Sequence, residues 1–219
     1  MPDVGTMDHH GTVGALIRRA QLYDLLVTVL TFGREKRFRE AILSLAGLSA
    51  GERVLDVGCG TGTLAMGIKR KVGSEGAVNG IDASTEMVAL AREKTRAAGL
   101  EVDSQVAPAQ ELPFGDSSFD AVLCTMVMHH LPRDQRANAI AEMFRVLKPN
   151  GRLLIVDLSR EGGVLARLNL IALLHGQRSL DTTRQAEDLI RRRGFGDVNV
   201  GALGVRNLGY VFGRKTAAS

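Results

Sequence analysis

The segment Val54, Leu55, Asp56, Val57, Gly58, Cys59, Gly60, Thr61, Gly62, Thr63, Leu64 constrains this chain more than any other. A short run of β-branched and aliphatic residues breaks into alternating glycines and then into residues that suit a helix. Glycine takes a positive φ without a Cβ penalty, so such a turn lets the backbone approach a ligand closely. The helix that follows offers unpaired N–H groups at its start. Strand, glycine turn and helix in this order make the first unit of a parallel sheet covered by helices.

The same alternation continues along the chain. Strands are predicted at Arg53–Val57, Ala77–Asp82, Val102–Val106, Phe119–Thr125 and Arg152–Leu158, separated by turns such as Gly73-Ser74-Glu75-Gly76 and Gly115-Asp116-Ser117-Ser118. Ser84 caps a helix running to about Ala98, and a second helix spans Arg133 to Leu147, where Pro149 and Gly151 turn the chain into the fifth strand. A last helix, Thr182 to Arg193, precedes two extended runs, Val198–Gly201 and Leu208–Arg214, that complete the sheet. The expected fold is α/β: a doubly wound sheet, mostly parallel with an antiparallel last strand, plus an N-terminal helical lid.

Length supports this division. At about 150 residues per domain, 219 residues make one large domain with an addition. We assign residues 1–48 to a helical cap or lid and residues 49–219 to the ligand-binding domain. Within the lid, Leu16, Ile17, Ala20, Leu22, Tyr23, Leu25, Leu26 and Val27 form a broad apolar face with Arg18, Arg19 and Asp24 outside it. Val164 to Leu174 has similar character, and two apolar segments outside the sheet suggest a covered pocket.

Composition excludes several classes. With 45% hydrophobic and 24% charged residues the chain is an ordinary globular one, not a disordered or fibrous one. Cys59 and Cys124 form no CxxC pair, so neither a disulfide framework nor a zinc site is expected, and no metal is assigned; His9 and His10 are read as part of a mobile N-terminus. No run approaches the ~20 apolar residues that cross a bilayer, and the start lacks a signal-peptide n-region. A cytoplasmic protein is expected. The positive charge is uneven: residues 159–219 carry ten Lys or Arg against five Asp or Glu, with Arg191, Arg192 and Arg193 at a helix end. Lid and basic C-terminal third together point toward the acceptor side of a reaction.

Spacing narrows the ligand. A dinucleotide fingerprint needs glycine at its first, third and sixth positions, and here the sixth is Thr63. A carboxylate at Asp56, just before the loop, repels a pyrophosphate and suits a cation. S-adenosylmethionine, with its ammonium and sulfonium groups, is such a ligand. At the end of the second strand, twenty residues after Gly62, Asp82 can accept both ribose hydroxyls. The plain structural alternative for Asp82 is a cap on the following helix.

On these residues the chain resembles the class I S-adenosylmethionine-dependent methyltransferases, in particular the ubiquinone/menaquinone biosynthesis methyltransferase-like group (methyltransferase type 11), over about residues 14–158. The resemblance is carried by Tyr23 and Asp24, Val54 to Gly62, Asp82, Leu112-Pro113-Phe114, Ser118-Phe119-Asp120, His129-His130-Leu131, and Arg145-Val146-Leu147-Lys148-Pro149 with Gly151. It implies a Rossmann-like sheet with S-adenosylmethionine as cofactor. It also implies roles: Asp56, Gly58, Cys59 and Gly60 around the methionine and ribose, and Asp82 on the ribose hydroxyls. Ala83 and Met87 would lie on the adenine face, Ala109 and Gln110 along its edge, and the Cys124 backbone at the ammonium. Where relatives carry Asp or Asn for the adenine amino group, this chain has Pro108, which predicts weaker adenine discrimination.

For the acceptor, the resemblance to phosphobase methyltransferases pairs His130 with a lid tyrosine, here Tyr23, as catalytic residues. His129 is read first as a packing residue. The strict quinone-methyltransferase signatures are not met after Asp24 or around Lys148-Pro149-Asn150-Gly151 and Asp157. Two acceptors stay open: a small hydrophobic or lipid-like molecule of quinol type, and a phospholipid amine met in peripheral contact with a membrane. Nucleic acid is not expected, because Thr125-Met126-Val127-Met128 lacks the Asn or Asp, paired prolines and aromatic residue that grip a base. A nicotinamide-dependent oxidoreductase and a non-catalytic binding module of the same fold are the rivals.

Overall fold

The computed structural model describes residues 35–159, 182–204 and 208–216. Seven strands form one sheet: β1 (Arg53–Val57), β2 (Ala77–Asp82), β3 (Asp103–Val106), β4 (Phe119–Thr125), β5 (Leu147–Leu158), β6 (Phe195–Ala202) and β7 (Leu208–Lys215). Their order is β3-β2-β1-β4-β5-β7-β6, with β7 antiparallel to both its neighbours and the remaining pairs parallel. The helices are α1 (Glu35–Ala46), α2 (Thr63–Val72), α3 (Thr85–Ala97), α4 (Arg133–Val146) and α5 (Thr182–Arg193), with a 3₁₀ turn at Met128–His130. The chain winds outward from β1 to β3 and then crosses to β4. That reversal puts a crevice at the carboxyl ends of β1 and β4, where open α/β sheets bind ligands.

Alternation along the strands divides the core between the two faces. On one face Val54, Ala121, Leu123, Leu154 and Val156 pack with Phe38 and Ile42 of α1 and Ala65, Ile68 and Val72 of α2. On the other, Leu55, Val57, Val122, Cys124, Leu153 and Ile155 pack with Ala139, Ile140 and Met143 of α4 and Ala186 and Ile190 of α5. Both faces are covered, so the central strands read as continuous apolar runs. Each fully buried aliphatic side chain contributes about 1.5–3 kcal/mol. The end of the segment assigned to a cap is therefore α1, which lies on the sheet. Arg152 at the start of β5 ties it there, donating to the carbonyls of Ala46 at 2.6 Å and Gly47 at 2.9 Å and to Glu52. Tyr23, the amphipathic stretch 16–27, His9, His10 and the apolar segment 164–174 lie outside the described residues.

Most predicted limits match within a residue. β5 differs: it begins at Leu147, and its pairing shifts between Phe119↔Leu147 and Ala121↔Arg152, so residues 148–151 bulge out opposite Asp120. Lys148 Nζ on this bulge donates to Asp120 Oδ1 at 2.7 Å, and Arg53 N–H donates to Asp120 Oδ2 at 2.8 Å. The Ser-Phe-Asp and Lys-Pro segments thus meet across the sheet as one structural joint. Among the described residues, no helix is long and apolar enough to cross a membrane.

Candidate active site

The site begins where β1 ends. Gly58, Gly60 and Gly62 all take positive φ, at 73°, 51° and 78°. The Gly58 and Cys59 N–H groups both donate to Ile81 O at 2.8 Å, which folds the loop over the end of β2. A Cβ on Gly58 would collide with Cγ2 of Val127, whereas a Cβ on Gly60 would meet nothing within 4 Å. Gly58 is therefore fixed by packing, and Gly60 borders open space.

Asp56 lies under this loop, 1% exposed, and neither carboxylate oxygen has a hydrogen-bond partner. Burial, and then the negative charge of Asp82, push its pKa up to about 7. An unpaired buried carboxylate is costly unless something cationic joins it. Asp82 is the second acid. Its Oδ2 accepts the Gly60 N–H and its Oδ1 the Ser84 N–H, each at 2.9 Å. The N-cap of α3 is Ser84, whose Oγ accepts from Met87 N–H at 3.2 Å, so Asp82 is not the capping residue. Each Asp82 oxygen keeps a lone pair for a further donor.

The other cofactor-side residues fall around the same edge. Ala83 is exposed and Met87 half-buried, and Val106 at the end of β3 is 48% exposed, an apolar rim beyond Asp82. Ala107 N–H donates to Asp82 O at 3.1 Å, Pro108 is exposed, and Ala109 is buried. Gln110 Nε2 donates to Gln135 Oε1 on α4. Below this segment, Arg145 donates to the carbonyls of Phe114 at 2.7 Å and Leu112 at 3.0 Å, while Glu142 accepts the Leu112 N–H at 2.8 Å. The Leu-Pro-Phe and Arg-Val-Leu motifs thus hold the loop that approaches the adenine edge.

Both cysteines are buried. The Cys59 side chain lies against Gly80, and burial and then Asp56 and Asp82 push its thiol well up; Cys124, wholly buried in β4, is pushed up by burial and then Asp157. Each is a neutral thiol, so what either offers a ligand is its backbone.

The acceptor side follows β4. Thr125 carries a buried hydroxyl without a partner, and Met126 takes a positive φ of 59°, strain of a kind that clusters at functional sites. His130 is exposed, and its ring centroid lies 3.8 Å from that of His129, tilted by 43°. His129 Nδ1 stands 2.9 Å from Oδ1 of Asp157, which is wholly buried at the end of β5. Sequence reasoning passed over Asp157 and Thr125. The available signal was positional: β1, β2 and β5 each close an apolar run with aspartate at the carboxyl end. Among the described residues no cluster of three or more metal-ligating side chains forms.

Of the basic C-terminal residues, Arg193, Arg214 and Lys215 lie away from the carboxyl ends of β4 and β5. Arg214 pairs with Arg152 at the start of β5, Lys215 pairs with Phe195, and Arg193 and Lys215 both lie over the Phe144 ring. This is the other end of the strands, roughly 20 Å from Asp157 at about 3.3 Å per strand residue. α4 and α5 both end there, and their last carbonyls attract cations: Lys215 Nζ donates to the Phe144 and Leu147 carbonyls at 2.8 and 2.6 Å.

This geometry defines a sheet with a cationic-ligand cradle. Residues 54–151 match the family model described as Methyltransferase domain, and this span is a methyltransferase domain of the class I, S-adenosylmethionine-dependent kind. The chain is 36% identical over 148 residues to the ubiquinone/menaquinone biosynthesis C-methyltransferase UbiE of Geotalea daltonii, covering 67% of this chain and 62% of that protein. It is 40% identical over 139 residues to the demethylmenaquinone methyltransferase of Thermus thermophilus, covering 63% of this chain and 61% of the relative. It thus spans about three fifths of the length of these curated relatives. Among solved structures, a SAM dependent methyltransferase from Aquifex aeolicus superposes with a TM-score of 0.65 at 26% identity, over 80% of this chain and 88% of that one. The residues present fit the cofactor: orphaned Asp56 oxygens for a cation, open space at Gly60, and free lone pairs on Asp82.

Proposed function

We propose that the chain is an S-adenosylmethionine-dependent methyltransferase acting on a small hydrophobic or lipid-like acceptor of quinol type. The observation that carries this reading is the buried, partnerless carboxylate of Asp56 beneath the glycine loop. A pyrophosphate cofactor would be repelled there, and a cationic one is drawn in. When bound, S-adenosylmethionine supplies an electrophilic methyl group, and the protein's part is alignment and, where needed, proton removal.

In this reading Asp56 pairs with the ammonium, Gly58, Cys59 and Gly60 line the methionine and ribose, and Asp82 accepts the ribose hydroxyls. Ala83 and Met87 cover the adenine face, Ala109 and Gln110 its edge, and the Cys124 backbone faces the methionine. His130 and Tyr23 close the acceptor side. The quinol acceptor is supported by the names of the similar proteins from Geotalea and Thermus. The arginines that end α5 lie at the other end of the strands and give a phospholipid amine no electrostatic support from there. The setting implied is cytoplasmic, with peripheral contact where the acceptor is dissolved in a membrane.

Calorimetry with S-adenosylhomocysteine and with NAD tests the cofactor; binding of NAD alone overturns the assignment. Mass spectrometry of cell extracts incubated with methyl-labelled cofactor names the acceptor, and label is expected in a lipid-extractable quinol. Cofactor binding without labelled product from lipid, quinol or amine fractions would mean a binding module. His130→Ala is expected to bind S-adenosylhomocysteine normally and to lose turnover.

A further inference from the structure

We propose that the Thr125 hydroxyl donates a hydrogen bond to the carboxylate at the cofactor's methionine end, so that Asp56 and Thr125 together hold its zwitterionic head. This rests on the S-adenosylmethionine reading and deepens it. Among the described residues, the buried side-chain oxygens without a partner belong to Asp56, Ser104 and Thr125. Ser104 lies on the edge strand β3, across Gly80 from Asp56. Asp56 and Thr125 stand instead near the carboxyl ends of β1 and β4, where the sheet reverses direction and leaves its crevice. They also share a face. Asp56 pairs in register with Leu123, and Thr125 lies two residues further along β4. Leu123 packs with α1 and α2, so Asp56 and Thr125 project to that side. At about 4.8 Å between strands and 3.3 Å per residue, their Cα atoms stand roughly 8 Å apart. One α-amino acid head spans that gap, with its ammonium on the carboxylate and its carboxylate on the hydroxyl.

The head needs a donor besides the glycine loop. The Gly58 and Cys59 N–H groups donate to Ile81 O, Gly60 N–H to Asp82 and Gly62 N–H to Cys59 O, so these four donors are already given to the protein. A carboxylate brought beside Asp56 without a donor of its own would meet only like charge. Thr125 supplies the donor. Its hydroxyl is removed from water and unpaired, a state that costs free energy until a partner arrives. The hydroxyl is also held in place. β-Branching restricts χ1, and the next residue, Met126, takes a positive φ of 59° with its N–H on Val156 O at 2.8 Å, which turns the chain directly after Thr125.

The test uses the full chain, calorimetry and two ligands: S-adenosylhomocysteine and its decarboxylated analogue, which keeps the ammonium. Thr125→Val keeps the shape of the side chain and removes the hydroxyl. It should bind S-adenosylhomocysteine about tenfold more weakly than wild type and bind the decarboxylated analogue as wild type does. Without ligand it should melt at or above the wild-type temperature, because an unpaired buried hydroxyl has become a methyl group. Thr125→Ser should restore the affinity. Asp56→Asn should lose affinity for both ligands, since both carry the ammonium. Wild-type affinity of Thr125→Val for S-adenosylhomocysteine, an equal loss on the two ligands, or a ligand-free melting temperature well below wild type would overturn the proposal. Failure of the wild type to bind S-adenosylhomocysteine at all would overturn the underlying cofactor reading instead.

Discussion

Asp82 grips Gly60: its Oδ2 accepts the Gly60 N–H at 2.9 Å, while its other oxygen accepts Ser84 N–H. One carboxylate thus joins the glycine loop after β1 to the start of α3 and is shared between loop geometry and ribose recognition. Asp82→Asn places an amide N–H₂ against one of two backbone donors. We expect a stability loss of about 1–3 kcal/mol in chemical denaturation and at least tenfold weaker S-adenosylhomocysteine binding by calorimetry. A variant that unfolds earlier but binds normally would separate the two roles.

Asp56 predicts a pH dependence with a definite sign. An unfolded aspartate titrates near 3.9, and the folded one is raised to about 7. Between those values the folded state holds the extra proton, so ligand-free stability falls as pH rises from about 4 to about 7 and is level above. Asp56→Asn removes the penalty. It should be more stable than wild type at pH 8, by on the order of 3–4 kcal/mol, and equal to it near pH 4. Binding of the ammonium-bearing ligand runs the other way: wild-type affinity rises between pH 5 and 7, and the variant binds weakly at every pH.

The glycines separate packing from ligand space. Gly58→Ala meets Val127 and a φ of 73°, so it should fold poorly or melt well below wild type. Gly60→Ala meets no protein atom within 4 Å and carries only its φ of 51°. A cost of about 1–2 kcal/mol is expected there. Its Cβ enters the space assigned to the cofactor, so binding should fall far more than stability. Thermal melts beside calorimetry decide this, and normal binding by Gly60→Ala would move the ligand elsewhere.

Pro108 supplies no side-chain acceptor at the position where relatives carry Asp or Asn. Wild type should therefore discriminate poorly between S-adenosylhomocysteine and its inosine analogue. Pro108→Asp should favour the adenine form by several-fold in competition binding, since an added acceptor meets an amino group in one and a carbonyl in the other.

Legibility followed the range of the forces. β1, β2, β4 and α5 were readable to the residue because each is set by an apolar run, a turn or a helix start within a few positions. The Ser84 cap is a bond to Met87, three residues away, and a pattern can carry it. The early start of β5 was not readable, because Pro149 and Gly151 look like a simple stop. The bulge at 148–151 is held instead by Asp120, 28 residues from Lys148.

The sequence by itself determined the alternating α/β order, the glycine loop with Asp56 before it, Asp82 after β2, and a cationic nucleoside ligand in place of a dinucleotide. These follow from local backbone preferences and from the sign of a charge. Only the tertiary structure decided that both Asp56 oxygens lack partners, that His129 meets Asp157 across 28 residues, and that Arg152 reaches back 106 residues to α1. It also placed Arg193, Arg214 and Lys215 at the end of the strands away from the site. Such relations depend on which strand lies beside which and on what solvent is excluded, and both are properties of the assembled sheet.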